Sequence, residues 1–101
     1  MKPVVIAGYK RSPFQFAHKG QLVKKRPDDL AADVVRGLIE TSGVDPSGIE
    51  DLIMGCAFPE GEQGFNMGRI VGLLADLPIS VAGVTVNRFC GSSMQSIHIA
   101  A

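Results

Sequence analysis

The chain is predicted to fold as an α/β domain, a largely parallel sheet covered by helices in an incomplete βαβαβα order. Two observations carry that prediction. Short, partly β-branched apolar runs alternate with longer stretches of helical periodicity, the pattern of strands joined by crossover helices. The last helical stretch is apolar around most of its circumference, so it expects neighbours on every side, as a helix against a sheet in a larger body has.

Val4 to Tyr9 is apolar and partly β-branched, short enough for a strand and too short for a helix, and is predicted as the first strand. Arg11 to Arg26 is polar and basic around Pro13 and Gly20 and reads as a long loop. A helix starts at Pro27, since proline fits a first helical turn and Asp28 and Asp29 put negative charge where the macrodipole favours it. Leu30, Val34 and Leu38 fall at i, i+4 and i+8, with Ala31, Val35 and Ile39 beside them, while Asp33, Arg36 and Glu40 take the other side. Ser42-Gly43 stops the helix, glycine being the residue for which a left-handed cap is easiest.

Asp45 to Gly48 is a turn, and Leu52 to Cys56 a short buried strand. Phe58 to Gly64 is a loop punctuated by Pro59, Gly61 and Gly64. Asn66 is a helix cap, with Met67, Ile70, Val71 and Leu74 on one face before Pro78 ends the element. Val81 to Val86 is a third strand, interrupted by Gly83, and a third helix runs from Ser92 to the last residue. Three strands and two other helices cannot enclose that last helix, so the chain is expected to be a truncated portion of a larger protein.

Composition narrows the function classes. Ten basic residues against 10 acidic ones give zero formal charge, which removes the electrostatic term that non-specific nucleic-acid binding depends on. A hydrophobic fraction of 46% is too high for a disordered chain. Two cysteines cannot build a disulfide scaffold, and with no Cys-x-x-Cys and no histidine at ligand spacing no metal site is expected. The apolar run at the N-terminus is shorter than the about 7–15 residues of a secretory core, and none approaches the ~18 of a membrane span. Free thiols fit a reducing compartment, and the cytosol is the expected location.

The candidate for chemistry is Cys90. It follows a strand directly, opens a helix, and precedes Gly91, Ser92 and Ser93. The start of a helix stabilises thiolate over thiol, small neighbours let a carbonyl approach, and unpaired N–H groups there can receive a developing oxyanion. A packed, inert cysteine is the competing reading, since free Cys also behaves as a small hydrophobe. On the residues alone both stand.

The segment Val86-Asn87-Arg88-Phe89-Cys90-Gly91-Ser92-Ser93-Met94-Gln95 closely resembles the nucleophile motif of the thiolases. Other pieces fall in family order: Arg11-Ser12-Pro13-Phe14 after the first strand, Pro27-Asp28-Asp29-Leu30-Ala31-Ala32 at the start of the first helix, and Glu62 to Arg69 with Leu73 to Pro78 around the second. The resemblance implies a thiolase-like N-terminal half-domain. Residues 1–101 would be its first portion, without the rest of that domain, the coenzyme A-binding loop region and the C-terminal domain.

It implies reversible Claisen chemistry on acyl-coenzyme A thioesters. Cys90 would attack a 3-ketoacyl-CoA, release acetyl-CoA and hold the shortened acyl group until coenzyme A takes it, with the Cys90 N–H in the oxyanion hole. Coenzyme A is a substrate, and no cofactor or metal is expected. The family's activating His, in a Gly-His-Pro segment, and its second acid/base Cys, in a Cys-x-Gly-Gly-Gly segment, do not occur here. His18 and His98 do not replace them, since His98 lies about 12 Å along the helix axis from Cys90. The chain alone is therefore expected to be inactive.

Arg88 and Ser92-Ser93-Met94-Gln95 resemble the fatty-acid-oxidation thiolases more than the biosynthetic acetoacetyl-CoA type, which stays an alternative. A ketoacyl synthase and a non-catalytic thiolase-like lipid-binding protein are further alternatives. The resemblance also implies a homodimer or homotetramer, with a hydratase/dehydrogenase subunit as a possible partner. Among the remaining residues, Cys56 reads as core, Lys24-Lys25-Arg26 as a solvated loop, Met54, Met67 and Met94 as gap-fillers, and Asn87 as a turn-holder through side-chain to backbone bonds.

Overall fold

The computed structural model describes residues 2–101. Three helices and two strands follow one another as α1 (Pro27–Ser42), β1 (Asp51–Gly55), α2 (Met67–Leu74), β2 (Ala82–Val86) and α3 (Ser92–Ala100), with single 3₁₀ turns at Pro46–Gly48 and Gly61–Gln63. β1 and β2 pair in parallel, Asp51 opposite Ala82 through Gly55 opposite Val86. A parallel pair needs a crossover, and α2 supplies it.

The pleat assigns the two faces. Leu52 and Met54 pack against the buried cluster of Ala32, Cys56, Met67, Val71 and Ala75. Their register partners Gly83 and Thr85 meet α2 from the same side: a Cβ on Gly83 would lie 2.5 Å from the Arg69 Cα, and the Thr85 hydroxyl accepts the Gly68 N–H at 3.0 Å. The alternate residues Ile53 and Gly55 face α3. Thus α1 and α2 lie on one side of the sheet and α3 on the other.

Helix termini follow the local chemistry. Gly43 caps α1 at φ 69°, and its N–H donates to the Ile39 carbonyl. The Asn66 side chain accepts the Arg69 N–H at the start of α2. α2 closes at Leu74, ahead of Pro78, because Asp76 turns into the left-handed region at φ 58°.

The expected first strand is the main difference. Residues 4–9 belong to no ladder, and Val5, Ile6 and Tyr9 stand in solvent. The segment instead packs on α1, with Gly8 against Leu38 and the Lys10 alkyl chain against Gly37. Strand-forming residues need a hydrogen-bonding partner to become a strand, and β1 pairs only with β2 among the described residues. The α3 helix is enclosed on one side only, which fits the expectation that the chain's other elements cannot surround it: its buried residues are Ser92 and Ser96, while Met94, Ile97 and Ile99 are about half exposed.

Candidate active site

The site grows from the end of β2. After Val86 the chain reverses through Asn87 to Gly91 and enters α3 at Ser92. The Asn87 side-chain oxygen accepts the Phe89 N–H at 3.0 Å, the turn-holding role its position predicted. Phe89 takes φ 44°, a left-handed conformation that costs a bulky side chain about 1–3 kcal/mol and persists only where surrounding bonds enforce it. The Gly91 N–H then donates to Arg88 O at 3.0 Å, the Ser92 N–H to Phe89 O at 3.1 Å and the Gln95 N–H to Gly91 O at 2.9 Å.

Ser92 ties the turn from below. It is 3% exposed, and its hydroxyl accepts the Arg88 N–H at 2.8 Å while donating to Phe89 O at 2.6 Å. Cys90 stands at the crest of the turn with its thiol free and exposed. α3 has no side-chain cap, so the positive end of its dipole is not neutralised by a neighbouring side chain. The Gly91, Ser92 and Gln95 N–H groups are held by carbonyls within the turn, whereas the Cys90 N–H has no backbone acceptor among the described residues. An exposed sulfur with a free backbone N–H beside it can attack a carbonyl and support the resulting oxyanion.

The two cysteines separate as their surroundings predicted. Cys56 is 6% exposed and sits in the core, where its backbone N–H extends the ladder to Val86 O at 2.9 Å. The basic loop is largely committed to internal pairs. Lys25 binds Asp33 at 2.6 Å, and Arg26 grips Asp28 through two bonds of 3.1 and 2.9 Å while reaching Glu62 at 3.5 Å. The Arg26 side chain holds the Asp28 carboxyl below the usual carboxylate range, and Lys25 followed by Arg36 does the same for Asp33.

His18 lies in the exposed loop turn and His98 in the last turn of α3. Among the described residues, no group of three or more His, Cys, Asp or Glu could hold a metal ion, and no helix is long and apolar enough to cross a membrane. A groove of about 800 Å³ runs between β1 and α3, lined by Ile53, Gly55, Ser93, Ser96 and Ile97. It follows the flank of the helix, and Cys90 is not among its walls.

Two positioning roles at the site were not read from the sequence. Gly55 ends β1 beneath the turn, where a Cβ would come within 2.5 Å of the Ser93 nitrogen and 2.6 Å of the Ser92 carbonyl carbon. Its signal was a glycine inside an apolar strand run, which marks close backbone approach. The Ser92 hydroxyl had no such signal, because its partners lie upstream across a reverse turn.

A 3-ketoacyl-CoA thiolase of Bacillus subtilis is 50% identical over 101 residues, which cover all of this chain and 26% of that protein. Proteins of the same name from Acinetobacter baumannii and Psychrobacter arcticus are 50% and 46% identical over 100 residues, again 26% of their lengths. The chain thus spans about a quarter of the length of the curated relatives it matches. Residues 4–101 match the family model described as thiolase, N-terminal domain, and the chain therefore belongs to the thiolase family.

Proposed function

We propose that the protein to which this chain belongs is an acyltransferase that cleaves 3-ketoacyl-CoA by thiolysis, and that this first quarter supplies the nucleophile, Cys90. One observation carries the reading: an exposed cysteine on a strained strand-to-helix turn, at the uncapped start of a helix. The names of the relatives favour the degradative class over the acetoacetyl-CoA synthetic one.

In the first half-reaction the Cys90 thiolate attacks the C3 ketone of the 3-ketoacyl-CoA. The oxyanion rests on backbone N–H groups, including that of Cys90. Collapse breaks the C2–C3 bond, the acyl fragment stays on Cys90 as a thioester, and the acetyl-CoA carbanion takes a proton. In the second, the thiol of coenzyme A loses its proton, its sulfur attacks the acyl carbon, and Cys90 leaves as thiolate. Splitting one difficult cleavage into two thioester exchanges is what covalent catalysis supplies. The proton transfers need a base within hydrogen-bond reach, and His98, about 12 Å along α3 from Cys90, lies outside it.

Replacing Cys90 with serine in the full-length protein tests the assignment. Thiolysis is expected to fall by at least about 10³-fold, as for other covalent nucleophiles. A Cys90-containing peptide carrying the acyl mass should be recovered from the unaltered enzyme quenched in acid. Full activity in the Cys90→Ser protein sinks the reading.

A further inference from the structure

We infer that Gly55 and Ser92 are positioning residues that set the orientation of the Cys90 sulfur, Gly55 by seating α3 against β1 and Ser92 by locking the strained residue before the cysteine. The inference rests on the reading of Cys90 as nucleophile.

The argument begins with Phe89. A phenylalanine at φ 44° relaxes to ordinary backbone unless it is held, and any relaxation rotates the adjacent Cys90. Its N–H is taken by Asn87 and its carbonyl by the Ser92 hydroxyl. Ser92 also receives the Arg88 N–H, so one buried hydroxyl bridges the Asn87–Arg88 and Phe89–Cys90 peptide groups. Losing it leaves that N–H without its partner at the inner side of the turn and removes the side-chain bond to the Phe89 carbonyl. Ser92 in turn keeps its place through the helix, where its carbonyl accepts the buried Ser96 hydroxyl at 3.1 Å.

Gly55 fixes the same unit from the sheet side. The Ser92–Ser93 peptide sits where the Gly55 side chain would be, with three α3 backbone atoms between 2.5 and 2.7 Å from a Cβ there. Any side chain pushes backbone rather than a flexible tip, so the start of α3 must move away from the sheet and carry Cys90 with it. Neither residue carries the reacting group, and both act through where they hold the sulfur. Misplacement of about 1 Å at a reacting atom can cost on the order of 10²-fold in rate.

The test is single-turnover acylation of the full-length enzyme by acetyl-CoA, with the acetyl group followed onto the Cys90 peptide by mass spectrometry. The exchange makes the Cys90 thioester, breaks the acetyl-CoA thioester and releases coenzyme A as the thiol. For Ser92→Ala the rate constant is expected to fall roughly tenfold to a hundredfold. The final acetylated fraction and the half-saturating acetyl-CoA concentration should stay unchanged. Gly55→Ala should show the same split, and if that variant does not fold, Ser92→Ala decides alone. An unaltered rate constant, or a loss borne wholly by a smaller acetylated fraction, overturns the positioning role. If the unaltered enzyme acquires no acetyl group on Cys90, the nucleophile reading has failed instead, so the two failures are distinct.

Discussion

At the residue scale, the ion pairs gather around α1 rather than around the sulfur. Asp28 is 6% exposed, accepts the Asp29 N–H at 2.9 Å and is held by Arg26, which also reaches Glu62 in the Gly61–Gln63 turn. Its carboxyl titrates below the ordinary range, chiefly through the Arg26 side-chain bond. A depressed carboxylate stabilises the fold above its unfolded value of about 3.9 and loses that contribution as pH falls through the folded value. Asp28→Asn in the full-length protein is expected to lower the opening free energy of the first turn of α1 by up to about 1 kcal/mol at pH 7, the range of a solvent-screened ion pair. Amide exchange of residues 30–33, compared between the two proteins at matched pH, reads the difference. The gap should narrow as pH falls through the folded-state value and the carboxyl is protonated, and a gap that does not narrow assigns it to another cause. Asn87 was legible as a turn-holder because its side chain bonds to a residue two positions on. Ser92 was not, because a serine after a turn has several partners open to it and only the folded turn selects Arg88 and Phe89.

At the element scale, α2 is bound to β2 by an absence of side chains and a small polar knot. A Cβ on Gly68 would fall 2.4 Å from Val84 O, and one on Gly83 would strike the Arg69 backbone at 2.5 Å, so helix and strand touch main chain to main chain. Asn66 donates to Gly83 O at 2.8 Å and accepts the Thr85 hydroxyl at 2.8 Å. Arg69 donates to the carbonyls of Val81 and Ile79. Gly68→Ala and Gly83→Ala are each expected to destabilise by about 1–3 kcal/mol or more, the range of an overpacked core. Gly72 is the control, since a Cβ there meets only Leu52 and Leu77 at 3.9 Å, and Gly72→Ala should be neutral or gain up to about 1 kcal/mol from helix propensity. Denaturant midpoints of the three variants check the ranking, and equal effects at all three sites contradict the close-approach account. The helices were readable because Pro27, Gly43, Asn66 and Pro78 are local signals. The glycine contact was not, because it joins residues far apart in sequence. The predicted strand at Val4–Tyr9 shows the converse, since β propensity without a paired edge gives an apolar segment lying on a helix.

At the scale of the whole molecule, the apolar surface is out of proportion to the core. All five phenylalanines, at positions 14, 16, 58, 65 and 89, and the single tyrosine are exposed, each by at least 67%. The largest side chain wholly out of water is Val71. A large apolar side chain left in solvent forgoes about 1.5–3 kcal/mol, and a typical domain has only about 5–15 kcal/mol of net stability, so the exposure decides how these residues behave alone. Exposed patches of this kind mark surfaces that another body covers, and the half-exposed Met94, Ile97 and Ile99 add to them along the helix that follows Cys90. Residues 1–101 prepared alone are therefore expected to bind the apolar dye ANS, to melt without a sharp transition, to self-associate, and to show no thiolysis of 3-ketoacyl-CoA. The full-length protein under the same conditions should leave the dye dark and be active. Light scattering, dye fluorescence and a thermal scan on both samples make the comparison. A monomeric, dye-negative, cooperatively melting 101-residue chain would mean that the core around Val71 suffices and that the exposed aromatics are ordinary surface.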